Sequence, residues 1–387
     1  MFADQPISTM RKPPSNADYD GVEQWCRAVV KAGHPLLFSP TVFTDELDDA
    51  SVKFNMPVES LHSFLRNIHL IHVKKNSHML RNNVQAHVED YVIGNMSILD
   101  MARAMNYPPY HVARTIVEHV ANLTDGTGGA VSSSRNSGNK KAVTEAMREP
   151  WRKLGDPSVL KPEYQSSENH RSNTGDESLS PISRLATEVI EAMKSDPLYG
   201  PKQDRERHSV GLEHEEMLEK ALEAMKIPFE TENDLRIKGT SRTPDVLLSC
   251  PVGMKVPKRS STRRKLSLGN NSCDIEEDIE EEYEWKVVCW IDSKALFGDV
   301  QTHNNSVLPQ AESFVHRFGP GLILYWFGHA PIERLGDGHG DVLVTGWKLP
   351  NEFMLPTGKI ARAASSSPDN NLQVQINTEQ DETIAKN

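Results

Sequence analysis

Val287, Val288, Cys289, Trp290 and Ile291 form an unbroken apolar run that ends on Asp292-Ser293-Lys294. Such a run predicts a central strand covered on both faces. Side chains two apart on a strand share a face, so Asp292 and Lys294 point one way and Ser293 the other. A carboxylate and an ammonium closing so buried a strand are costly to desolvate unless they pair or take a metal. Well upstream, Thr243-Pro244-Asp245 leads into a second apolar run, Val246-Leu247-Leu248. A sheet that joins the two runs brings two carboxylates and a lysine to one point. Two readings stay open on these strings alone: a strand-end salt bridge, or a hydrolytic site. In the second, Asp245 and Asp292 ligate a hard divalent cation and Lys294 orients or deprotonates water, the equipment that phosphodiester cleavage needs.

The flanking sequence supplies an order of elements. Val210 to Met225 reads as a helix, with Leu218, Ala221, Leu222 and Met225 on one stripe and Glu213, Glu216 and Glu223 opposite. Glu215 falls on the flank of the stripe, where its carboxylate can reach a sheet as a third ligand. His214 lies within the stripe and reads as a hydrogen-bonded core histidine. A short strand is expected near Pro228-Phe229-Glu230, then the strand after Asp245 and the strand ending at Lys294. A helix over Leu308 to Phe318 and a strand over Leu322 to Phe327, introduced by Gly319-Pro320-Gly321, complete the series. The expectation is an α/β core of order α-β-β-β-α-β around a mixed sheet.

This order, with these acids, resembles the PD-(D/E)xK nuclease superfamily and its restriction-endonuclease-like core. Gly211-Leu212-Glu213-His214-Glu215 is similar to the G-x-x-x-E helix start of archaeal-type Holliday junction resolvases. Gln310 and Phe314 resemble a helical Gln-x-x-x-Tyr element, with Phe for Tyr. The fuller resemblance is to the codanin-interacting nuclease family, which carries a TPD motif. The matching strings are Glu213-His214-Glu215, Leu235-Arg236 with Lys238-Gly239, Thr243-Pro244-Asp245, Trp290 to Ala295 with Phe297-Gly298-Asp299, and Arg317 to Leu322. The resemblance covers roughly residues 182–347, and the amino-terminal half more loosely. Two departures stand out: Asp292 replaces the family's Glu, and a long insert over 253–284 separates the motif strands.

The resemblance implies an endonuclease that hydrolyses DNA phosphodiesters, branched DNA included, with Mg²⁺ or Mn²⁺. The implied catalytic residues are Asp245, Asp292 and Lys294, and the implied metal ligands Glu215, Asp245 and Asp292. Gln310, Lys238 and Arg242 would touch phosphate or support the ligands. It also implies a codanin-type protein partner, a nuclear and cytoplasmic location, and a homodimer as in related resolvases. The competing expectation is a non-catalytic nuclease-fold protein that scaffolds the same kind of partner.

Outside the core, residues 1–124 read as all-helical, with two helix-turn-helix-like hairpins. In one, Ser97 caps a helix through Asp100, and Ile98, Met101, Ala102 and Met105 recur at helical spacing before Asn106-Tyr107-Pro108-Pro109. The helix after it buries Ala113, Ile116, Val117 and Val120 and would expose Tyr110, His111, Arg114, Thr115 and Glu118, a groove-reading set if this half binds DNA. The bland alternative is two hairpins burying apolar stripes; the earlier pair uses Ala50, Phe54, Leu61, Leu65 and Ile68 around Asn55-Met56-Pro57. His62, His69, His72 and His78 are expected on an ordinary polar helix face. Residues 125–181 read as a flexible linker with a short helix, 182–360 as the nuclease-like domain with a disordered insert, and 361–387 as a disordered tail.

The net charge of −11 argues against a surface that coats nucleic acid, so any DNA contact has to be local. Four cysteines without paired spacing fit a reducing compartment, and no apolar run reaches membrane-spanning length. A soluble intracellular protein is the expectation. The insert opens on Lys255, Lys258, Arg259, Arg263, Arg264 and Lys265 and closes on an acidic run. It fits a nuclear import signal or phosphate-binding arm as well as a self-neutralising solvated loop.

Overall fold

A computed structural model describes residues 13–33, 45–123, 135–161, 164, 184–257 and 283–362. Among the described residues the chain opens with the helices α1 (Asn16–Ala32), α2 (Asp45–Phe54), α3 (Val58–Asn82), α4 (Val84–Val92), α5 (Ile98–Met105), α6 (Pro109–Val120), α7 (Arg135–Arg148), α8 (Pro150–Leu154) and α9 (Arg184–Ser195). The core follows with α10 (Pro201–Ala224), β1 (Phe229–Thr231), α11 (Glu232–Ile237), β2 (Val246–Pro257), β3 (Tyr283–Lys294), α12 (Leu308–Phe318) and β4 (Gly321–Tyr325). Three further strands, β5 (Val342–Gly346), β6 (Glu352–Met354) and β7 (Ile360–Arg362), were not expected from sequence.

The sheet runs β5-β4-β3-β2-β6-β7, with β1 also on β2. The β3–β4 and β4–β5 ladders are parallel and the rest antiparallel, so the expected mixed α/β sheet is present. Leu218 and Leu222 of α10 pack on one face with Val246, Ile291, Leu322 and Leu324. Ala311 and Phe314 of α12 pack on the other with Trp290, Ile323 and Tyr325. The expected introduction of β4 holds for a steric reason. A Cβ on Gly321 would meet the Trp290 ring at 2.0 Å, and the Trp290 indole donates to the Gly319 carbonyl at 2.8 Å.

Only half of β3 is the two-sided strand that its apolar run suggested. Trp290 and Ile291 are fully buried, whereas Val287 is 49% exposed and Trp285 39%. The reason is register: β4 pairs with β3 only from Trp290 to Lys294, so the earlier residues have β2 alone beside them. The ends of the 253–284 insert are also ordered. β2 continues to Pro257 and β3 begins at Tyr283, with Lys255 over the Tyr283 ring at 4.5 Å. Residues 258–282, which hold the rest of the basic cluster, lie outside the described residues, as do 124–134, 165–183 and 363–387. The expected tail begins later than Ile360, because β7 pairs with β6 through Arg362.

The helical region does not divide where the sequence suggested. The Ser97 cap is present, its hydroxyl accepting from the Asp100 amide at 3.0 Å. The supposed reading face of α6 is half-buried rather than open. Arg114 donates to Thr144 of α7, the His111 ring lies 4.2 Å from Tyr199, and the Tyr110 amide donates to buried Asp196. Helices α4 to α9 share one core, so α9 belongs with them and not with the sheet. Helices α1 to α3 form another core that takes in Phe297, Ala330 and Leu335 from the sheet end. His69 is buried, 2% exposed, rather than on a polar face, and burial pushes its imidazole down to about 3.

Candidate active site

Antiparallel pairing of β2 with β3 sets Val246 opposite Ile291, which places Asp245 beside Asp292 at the carboxyl end of β3. Asp292 is 1% exposed and meets the Lys294 Nζ at 2.5 Å through its Oδ2. That contact is a buried ion pair. Asp245 accepts the Ser293 backbone N–H at 2.6 Å. The Ser293 side chain turns to the other face, as the two-residue period requires, and its hydroxyl accepts from the Trp326 indole at 2.7 Å.

Charge and burial make this a strained pair. Burial raises the Asp245 carboxyl well above the usual carboxylate range, and the neighbouring Asp292 charge adds to that, against Lys294 and the Ser293 amide. Burial pulls the Lys294 ammonium down, but Asp292, Asp245 and Glu215 outweigh it and raise it. Glu215 comes from α10, and burial together with Glu232 and Glu219 raises its carboxyl while Lys294 opposes. Glu215 is thus within electrostatic range of the pair. It does not close a ligand shell, because among the described residues no three His, Cys, Asp or Glu side chains lie together as a metal-holding group. His214 is the hydrogen-bonded core residue expected, its Nδ1 2.8 Å from the Val210 carbonyl and its ring against Trp326 and Phe327.

The three supporting residues part company. Arg242 and Gln310 line one cleft beside Thr243, together with Glu232, Arg236, Pro309 and Ser313. Lys238 is elsewhere, ion-paired to Glu230 of β1 at 2.7 Å. Phe314, the aromatic after Gln310, is buried edge-on to Trp290 at 5.3 Å and only packs.

Several side chains near the pair were not singled out from sequence. Tyr325, opposite Lys294 in the parallel β3–β4 register, is buried beneath the pair; burial and the charges of Asp292 and Asp299 push its phenol well up. Its hydroxyl meets the His303 Nδ1 at 2.8 Å, and the His303 Nε2 meets the Gly336 carbonyl at 2.8 Å. The Gly336 carbonyl can only accept, so Nε2 carries the proton and Tyr325 donates to Nδ1. Beyond Lys294, Asn67 of α3 donates to the Phe297 carbonyl at 3.0 Å and to buried Asp299 at 2.9 Å, and the Phe297 amide donates to Ser63 at 2.8 Å. The string Phe297-Gly298-Asp299 was visible in the sequence, but nothing local announced that its partner lay on α3.

Residues 181–345 match a protein family described as "Protein of unknown function TPD sequence-motif". A protein from Danio rerio named CDAN1-interacting nuclease 1 is 35% identical over 144 residues, 37% of this chain and 38% of that protein. The chain is thus similar to proteins named as codanin-interacting nucleases. A Xenopus tropicalis protein of the same name is 29% identical over 62% of this chain and 56% of that protein, and a Homo sapiens one 26% over 66% and 71%. The chain therefore spans less than two thirds of the length of these first two relatives. No solved structure matches it.

A divalent cation fits the donor set that the family's nuclease name brings into question. Asp245 and Asp292 offer hard oxygen donors, and their mutual repulsion is what such a cation relieves.

Proposed function

We propose that this protein is a metal-dependent endonuclease of the PD-(D/E)xK kind, hydrolysing DNA phosphodiesters, branched DNA included. The observation that carries the reading is the convergence of Asp245, Asp292 and Lys294 at one strand end. Asp245 and Asp292 would hold Mg²⁺ or Mn²⁺, with Glu215 facing them from α10. When bound, the cation supplies charge neutralisation at the phosphate and acidifies a water. Lys294, anchored on Asp292, orients water and presents positive charge to the phosphoryl oxygens as negative charge builds on them. The Ser293 amide fixes the Asp245 carboxylate, so the acid does not have to be ordered when substrate arrives. The relatives' name extends the proposal to a codanin-type partner, and the family resemblance to a nuclear and cytoplasmic protein that acts as a homodimer.

The test is cleavage of branched and linear DNA with Mg²⁺ or Mn²⁺ and with chelator. The Asp292→Asn and Lys294→Met variants should lose about a hundredfold or more in rate; unchanged cutting by either sinks the assignment. A second reading, a nuclease-fold scaffold for the partner, is favoured by one observation: Lys294 already neutralises Asp292, and the third acid stands off. Partner binding that survives Asp245→Asn and Asp292→Asn, in a protein that cuts no nucleic acid, selects it.

A further inference from the structure

The cleft beside Thr243-Pro244-Asp245 has a volume of about 540 Å³ and is lined by Glu232, Arg236, Arg242, Thr243, Gln310 and Ser313, with Pro309. Most of its polar groups are already engaged. Arg236 is ion-paired with Glu232 at 2.7 Å, and the Thr243 hydroxyl donates to the same carboxylate at 3.3 Å. The Ser313 hydroxyl donates to the Gln310 carbonyl at 2.6 Å within its own helix. That leaves two donors. Among the described residues, neither the Arg242 guanidinium nor the Gln310 carboxamide has a side-chain partner.

Arg242 is also held in a costly backbone conformation. Its φ is +52°, a left-handed geometry that a long side chain seldom adopts. The turn is locked from outside: the Arg317 guanidinium of α12 donates to the carbonyls of Ser241 and Arg242, the latter at 3.1 Å. Glycine would occupy this position with less strain. A clamped, strained arginine whose charge is left unpaired in a cleft next to two carboxylates is arranged for an anion.

We propose that this cleft is a subsite for one backbone phosphate of a single nucleic-acid strand, gripped by Arg242 and Gln310, next to the phosphate presented to Asp245 and Asp292. The claim rests on the nuclease reading only in making that strand the substrate. Glu232 fixes the position of the phosphate: it cancels Arg236 and repels an anion, which leaves the Arg242 and Gln310 end as the seat. The net positive contribution of the cleft is one charge, so the subsite accounts for one phosphate and no more.

The experiment is fluorescence-anisotropy binding of a labelled 12-mer deoxyoligonucleotide to the full chain in chelator, over a salt series. Arg242→Gly should weaken binding about tenfold at low salt and make the log–log salt slope shallower by about 0.7, the value for one single-strand phosphate contact. Its Tm should be unchanged or higher, because glycine relieves the left-handed strain. Gln310→Ala should weaken binding less, with no change of slope, since the amide carries no charge. Unchanged affinity and slope in Arg242→Gly would overturn the proposal, as would a wild-type chain that does not bind the oligonucleotide. The two readings fail separately. A wild type that binds through Arg242 but cuts nothing with any metal keeps the subsite and loses the nuclease; one that cuts, with Arg242→Gly binding and cutting equally well, does the reverse.

Discussion

Asp245 and Asp292 are a liability to the fold, and their chemistry can be read from what removing them does. The Asp245 carboxyl is raised above its unfolded value, so the native state holds its proton more tightly than the unfolded chain does. Its contribution is therefore full below the ordinary carboxylate pKa near 3.9 and is lost as pH rises through the higher folded value. Asp245→Asn keeps an acceptor for the Ser293 amide and removes the charge. We expect it to raise stability at neutral pH by about 1 kcal/mol and to flatten that loss, as thermal melts across pH 4 to 8 would show. The opposite holds for the lysine. Lys294 is Asp292's counter-charge in the ion pair, so Lys294→Met leaves a 1%-exposed carboxylate uncompensated and should cost about 3–5 kcal/mol. Adding Asp292→Asn should recover most of it; a double-mutant cycle by urea melts that shows simple additivity would refute the coupling.

At the scale of elements, the sequence carried the core well where local pattern decides structure. The stripe on α10, the buried end of β3, the Ser97 cap and the glycines before β4 all follow from period, capping and close approach. It misjudged β3's first half because an apolar run cannot say how far the neighbouring strand extends. It missed β5 to β7 because two of the three are only three residues long, which leaves too short a pattern to read. The exposure expected on α6 is reduced for a related reason: half-polar residues that look open on a helical wheel meet elements distant in sequence. The site shows the same split. Asp292 and Lys294 are two residues apart and were legible, whereas Arg317 reaches the 241–242 turn and Asn67 reaches Asp299 across long stretches of chain. Asn67→Ala takes a donor from buried Asp299 and the Phe297 carbonyl and should destabilise by about 1–3 kcal/mol. Equilibrium unfolding would show it, and loss of less than a few tenths would mean that water replaces the amide.

For the whole molecule, the helical region and the sheet are not separable modules. Phe64 stacks between Tyr19 and Phe297, at ring distances of 5.2 and 4.9 Å, and Asp20 pairs with Arg334. A chain beginning at residue 184 would strip the cover from Phe297, Ala330 and Leu335. We expect such a fragment to aggregate or to melt well below the full chain, and a well-behaved monomer on size exclusion with an unchanged melt would contradict this. The molecule's charge agrees with the cleft rather than with a broad binding surface. With a net charge of −11, the nucleic-acid contact we propose would have to be concentrated at places such as Arg242.

The bonds from Asn67 to the loop after Lys294 join residues separated by 230 and 232 positions. During synthesis, α1 to α3 leave the ribosome long before the strand they cover exists, and at 5–20 residues per second the wait is on the order of ten seconds or more. Throughout it, the side of α3 bearing Phe64 and Asn67 has no cover from Phe297, which makes the nascent chain a client for holding chaperones. The loop that follows the candidate lysine is thus among the last parts to be set. A chain that stops before Phe297 and Asp299 leaves Asn67 and Phe64 without the partners they have in the finished fold.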